Sequence, residues 1–129
     1  MKESQIILSI LSVLFLLFYI RRFFLRAHMK EYTPNQVAEM LMDDSIVLID
    51  VRTREERNRQ RITGSLHLPL NEITEKIKTL DKYKQKEIVC YCHSGRRSFF
   101  AAVMLQKHGF NAANMKGGIS EWNYQNLKL

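Results

Sequence analysis

"KEIVCYCHSGRRSFFAAVMLQKHGF", residues 86–110, is the stretch on which the fold turns. "KEIVCY" reads as a short, largely apolar strand, and "SFFAAVMLQKHGF" as a helix that Gly109 ends in the usual C-terminal position. Between them lie Cys92, His93, Ser94, Gly95, Arg96 and Arg97, with the helix expected to begin near Ser98. A strand, a tight polar turn and a helix in direct succession form the building unit of an α/β sheet.

The flanking segments continue this alternation. "SIVLIDV" (45–51) is β-branched and does not alternate, as expected of a strand covered on both sides. Before it, "YTPNQVAEMLM" (32–42) starts a helix, with Thr33 as N-cap, Pro34 at the first helical position and Val37, Met40 and Leu41 on one buried face. The charged stretch 52–61 has little to bury and reads as a loop or a short exposed helix. "ITGSLHLPL" (62–70) offers another short strand, broken by Gly64 and closed by Pro69. Asn71 is expected to cap "EITEKIKTL" (72–80), whose Ile73, Ile77 and Leu80 share a helical face. "NAANMK" (111–116) is a last strand and "GGISEWNYQNL" (117–127) a final helix that docks Trp122. The class is therefore α/β, a parallel sheet with helices on both faces.

A length of 129 residues suits one compact domain, and 46% hydrophobic with 26% charged residues marks a folded chain. The net charge of +7 is unevenly spread. Lys2, Arg21, Arg22, Arg26 and Lys30 stand against Glu3 alone in residues 1–30, whereas residues 31–129 hold fifteen basic and twelve acidic side chains. Membrane topology explains such clustering better than nucleic acid does, and no nucleic-acid motif is present.

From Ser4 to Ile20 there is no charged side chain, a length of about 25 Å as helix. That falls slightly short of a hydrocarbon core, so a cleaved signal peptide and a buried core helix compete with a membrane anchor. Arg21 and Arg22 follow the run in place of small residues of a cleavage site, and the apolar pattern resumes as Phe23-Phe24-Leu25. With the arginines snorkelling, one uncleaved span covers about residues 4–25. The expected domains are an anchor with its basic flank, 1–30, and a soluble domain, 31–129. Arg21, Arg22, Arg26 and Lys30 follow the span, which predicts a single-pass protein of the cell membrane with its N-terminus outside and residues 31–129 in the cytoplasm. Cys90 and Cys92, the only cysteines, would bridge only with strain, and reduced thiols fit that compartment.

Cys92 lies where α/β sheets bind ligands, between a strand's carboxyl end and a helix start. Gly95 lets the backbone curl, so that successive N–H groups form a nest reinforced by the helix dipole and by Arg96 and Arg97. A sulfur at that centre loses its proton readily and becomes a nucleophile. Cys90, inside the apolar run, belongs to the core.

These residues carry a resemblance. "CHSGRRS" is similar to the C-x-x-G-x-R-S active-site loop of the rhodanese-like sulfurtransferases, "LIDVRTREE" to their first-strand motif, and "KGGISEW" to their Gly-Gly-x-x-x-Trp signature. The motifs occur in the family's order over residues 46–122. "QRITGS" departs from the family's Gly-His-Ile-x-Gly-Ala: Gln60 and Arg61 replace glycine and histidine, while Ile62 and Gly64 remain. The resemblance implies a rhodanese-like fold in which Cys92 attacks a sulfur donor such as thiosulfate, becomes a persulfide and passes the sulfur to a thiol or cyanide. It implies that backbone N–H groups from His93 through Ser94 and Gly95 to Ser98 hold the sulfur and that Arg96 and Arg97 attract the anionic donor. Asp50 and Arg52 match a D-x-R motif that braces the loop, the motif's glutamate falls at Glu55 or Glu56, and Gly117, Gly118 and Trp122 fix the last turn. His93 either tunes Cys92 or faces solvent. No cofactor is implied, and no metal site can be built from the histidine spacings. The expected partners are the small anionic donor, the acceptor and the membrane.

Two other readings stay open on sequence. A cysteine phosphatase or arsenate reductase needs five residues between cysteine and arginine, where four separate Cys92 from Arg97. A tethered binding or sensing module would retain the cradle without using the thiol.

Overall fold

Pro34, which donates no hydrogen bond, begins the first helix of the soluble part, and Thr33 caps it through a reciprocal bond pair with Gln36. In this computed structural model, which describes residues 2–129, the elements run α1 (Lys2–Ala27), β1 (Glu31–Tyr32), α2 (Pro34–Met42), β2 (Ile46–Asp50), α3 (Arg54–Arg59), β3 (Leu66–His67), α4 (Ile73–Lys76), β4 (Glu87–Tyr91), α5 (Arg96–Lys107), β5 (Ala112–Met115) and α6 (Gly118–Tyr124). The strands form one parallel sheet in the order β1-β5-β4-β2-β3.

Strict alternation along fully buried strands makes two cores. Val47, Ile49, Ile88 and Cys90 face α5 and α4, where they meet Ala101, Ala102, Leu105 and Ile73. Leu48, Val89, Tyr91 and Met115 face the other way, onto Val37 of α2 and Ile119 and Trp122 of α6. Burial on both sides is why these strands carry no polar alternation. Cys92 continues the Cys90 face, so both cysteines point toward the α5 layer, and both are free.

The structure departs from the sequence reading in three places. Asn71 caps nothing: it sits within a 3-10 turn, Leu70–Glu72, which Pro69 enters at φ −53° and which leads directly into α4. The expected helix over 72–80 divides into the four-residue α4 and a 3-10 segment, Ile77–Tyr83, although Ile73 and Leu80 are buried as anticipated. α5 begins at Arg96, two residues earlier than expected, because Gly95 itself is the N-cap. β1, a two-residue edge strand, is too short to leave a sequence pattern.

Residues 2–24 of α1 are long and apolar enough to cross a membrane, with a mean hydropathy of 2.1, and none of that stretch is buried in the fold. Met1 and the side chains of Leu25 and Arg26, which the topology expectation also used, lie outside the described residues.

Candidate active site

Cys92 is the first residue beyond β4, and the turn it opens closes on Gly95. Gly95 adopts φ +92°, a left-handed conformation, and a Cβ there would stand 3.1 Å from the Gly117 nitrogen. The curl aims the Gly95 N–H at Cys92 Sγ, 3.1 Å away. Ser98, on the first turn of α5 and fully buried, places its hydroxyl 3.4 Å from the same sulfur.

Burial opposes ionisation of Cys92. The Ser98 hydroxyl and the backbone N–H groups of Ser98, Gly95 and Ser94 outweigh it and hold the thiol below its ordinary value of 9.0. Cys90 has no such donors, and burial pushes it up to about 12. Two residues apart on the same side of the sheet, the two thiols are shifted in opposite directions. The single Ser98 proton also has a second acceptor, Asn114 Oδ1 at 2.6 Å. That shorter bond competes with the sulfur for the proton.

The cradle is fixed from behind. Ile119 and Ser120, in the first turn of α6, donate their N–H groups to the Cys92 and His93 carbonyls at 2.9 and 3.1 Å. This docking needs a glycine at 118: at φ +60°, a Cβ would collide with both of those carbonyl oxygens. Asn114 adds a bond from Nδ2 to the Gly95 carbonyl at 3.1 Å.

The two arginines part company. Arg97 makes a bidentate pair with Glu56, at 2.8 and 2.7 Å. Glu56 is also the capping-box residue of α3, and the Arg97 guanidinium, aided by Thr53, holds its carboxyl at about 2. Arg96 is exposed, as are His93 and Ser94. Asp50 and Arg52 form a buried pair at 2.9 and 2.8 Å, and Arg52 also donates to the Gln60 carbonyl at 2.6 Å. The Tyr91 hydroxyl donates to Asp50 Oδ2 at 2.9 Å and accepts from the Ile62 N–H at 3.2 Å. Asp50 and Arg52 thus hold the β2–β3 connection, and they reach the cradle through Tyr91, the residue before Cys92. Gln60, the departure from the family pattern, bonds reciprocally with Asn123 at 3.0 Å and so ties that connection to α6.

The cysteine cradle, the D-x-R pair and the double glycine thus lie together at one end of a parallel sheet, and the rhodanese-like domain family matches residues 33–125. The chain belongs to the rhodanese-like family. It is 40% identical over 80 residues to the putative sulfurtransferase YtwF of Bacillus subtilis, covering 62% of this chain and 76% of that protein. To the thiosulfate sulfurtransferase PspE of Escherichia coli it is 32% identical over 73 residues, 57% of this chain and 70% of that one. Among solved structures, a rhodanese-related protein from Thermoplasma volcanium superposes with a TM-score of 0.71 at 26% identity, covering 77% of this chain and 95% of its own.

Within this rhodanese-like domain, sequence reasoning left Glu55 and Glu56 undivided, and the geometry selects Glu56. It missed Asn114 and the Tyr91 hydroxyl. Both owe their roles to contacts distant along the chain, and neither sits in a local motif.

Proposed function

We propose that this chain is a membrane-anchored sulfurtransferase that carries sulfur on Cys92. The observation that carries the reading is the Cys92 sulfur facing the Gly95 N–H at 3.1 Å, within a cradle that lowers its pKa. The Cys92 thiolate attacks the outer sulfur of thiosulfate. A new S–S bond forms, the donor's S–S bond breaks, and sulfite leaves with the electron pair. The terminal persulfide sulfur then occupies the nest of N–H groups from Ser94 to Ser98. An acceptor thiolate attacks that sulfur, departs as a persulfide and restores the Cys92 thiolate; with cyanide the product is thiocyanate. Arg96, exposed at the rim, draws the anionic donor in. Arg97, held by Glu56, contributes fixed positive charge beside the sulfur.

A sulfur cradle also separates this reading from phosphate chemistry, because the four residues between Cys92 and Arg97 leave a tighter ring than a tetrahedral oxyanion needs. α1 would anchor the domain, with the N-terminus outside and residues 31–129 in the cytoplasm, a reading supported by Arg21 and Arg22 directly after the apolar stretch.

The test is intact mass of the purified full chain after incubation with thiosulfate. One added sulfur is expected, absent in Cys92→Ala and kept in Cys90→Ala. No adduct with thiosulfate or other sulfur donors would instead favour a tethered binding module.

A further inference from the structure

A cavity of about 390 Å³ lies where the end of α1 meets the outer side of the catalytic loop. Its apolar wall includes Phe18 and Phe100, and its basic wall consists of Arg21, Arg22, Arg96 and Lys116. Among the described residues, none of these four cations forms an ion pair. The one carboxylate in the lining, Glu31, already accepts a hydrogen bond from Asn114 at 2.9 Å. Phe100 remains half exposed at 51% although it stands beside the site.

The position of this cavity is fixed by the chain. Only residues 28–30 join α1 to β1, and Met29 is already buried in the core. Lys30 accepts the Asn114 N–H through its carbonyl at 2.9 Å and pairs with Glu87. Three residues reach at most about 10 Å, so the start of β1 stays close to the C-terminal end of α1. If α1 spans the bilayer, Phe18 lies at acyl-chain depth and the cations lie among headgroups.

We infer that this cavity seats an anionic phospholipid, with its phosphate among Arg21, Arg22, Arg96 and Lys116 and its acyl chain along Phe18 and Phe100. The inference rests on the anchoring reading. Its chemistry is that of a juxtamembrane basic cluster, each cation worth about 1 kcal/mol toward an anionic surface, here combined with a concave apolar wall of ligand-pocket size. An occupied cavity would press the catalytic loop against the membrane surface through Ser94, Gly95 and Arg96, which also line it.

The test uses the full chain in phosphatidylcholine nanodiscs doped with a photoactivatable phosphatidylglycerol or phosphatidylcholine probe. The phosphatidylglycerol probe should label the Phe99–Phe100 segment, and unlabelled phosphatidylglycerol should displace it where phosphatidylcholine does not. Labelling there should fall about fivefold for each cation removed in Arg22→Gln and Lys116→Gln, while sulfur loading of Cys92 is unchanged. Should either variant misfold, Phe100→Ser should cut labelling on its own. Equal labelling by the two probes, or labelling indifferent to these substitutions, overturns the inference. So does displacement by soluble glycerol phosphate as effective as by the lipid, which would assign the cavity to a free anion. Labelling of residues 2–17 without Phe99–Phe100 refutes the lipid seat alone. No labelling anywhere on α1 refutes the anchor and the seat with it.

Discussion

Cys92 and Cys90 show how far a thiol's chemistry depends on its nearest donors. Both are buried on one face of the sheet, yet burial pushes Cys90 up to about 12 while amide and hydroxyl donors hold Cys92 below an ordinary thiol. Gly118 is as particular to the site as Cys92. Gly118→Ala would strain a backbone at φ +60° and drive a methyl into the Cys92 and His93 carbonyls. A loss of about 2 kcal/mol or more is expected in denaturant unfolding, together with loss of sulfur loading. An alanine variant of unchanged stability and activity would show that the loop is not fixed by α6. Cys92, Gly95, Arg96 and Arg97 were legible because the cradle is contiguous, a turn whose residue types state its geometry. Asn114 was not legible: a lone asparagine in an apolar strand has many structural uses, and only the fold brings it to Ser98.

Helix α3 is joined to α5 through an ion pair. Glu56 caps its own helix and grips Arg97 on α5, so the connection after β2 is strapped to α5. The pair lowers the Glu56 pKa from 4.5 to about 2. A depressed carboxyl contributes stability that is complete above its unfolded value and is lost as pH falls toward the folded one. Protection of the Arg54–Arg59 amides, taken relative to their intrinsic exchange rate at each pH, should therefore fall as pH drops from 4.5 to about 2, and Glu56→Gln should remove that dependence. Exchange that ignores Glu56→Gln would mean that α3 is held by something else. The strands and most helices were readable from apolar pattern and caps, as Thr33 and Pro34 show for α2. The segment after Pro69 was not. Asn71 looks like a cap in sequence, but the proline fixes the entry and the Leu70 N–H is bound to the Val51 carbonyl at 3.0 Å, which draws the chain into a 3-10 turn.

In the molecule as a whole, an unburied apolar helix is tied by three residues to a sheet whose Cys92 end lies beside the junction. The helix was legible from its uncharged run, and its closeness to the catalytic loop was not, because that depends on β1 pairing with β5 at Glu31 and Asn114. The proposed topology is open to an accessibility measurement. In a background with both Cys90→Ala and Cys92→Ala, Lys128→Cys should react with a membrane-impermeant maleimide only after cells are permeabilised. Labelling of intact cells would place the domain outside. All of these features serve one ionisable sulfur, so the most direct test is the pH dependence of Cys92 loading by thiosulfate in the full chain. Thiosulfate stays dianionic throughout the range, so the profile reports the thiol. The rate should reach half its plateau below pH 9.0. A half-plateau at or above pH 9.0 would mean an unactivated thiol and would contradict the account.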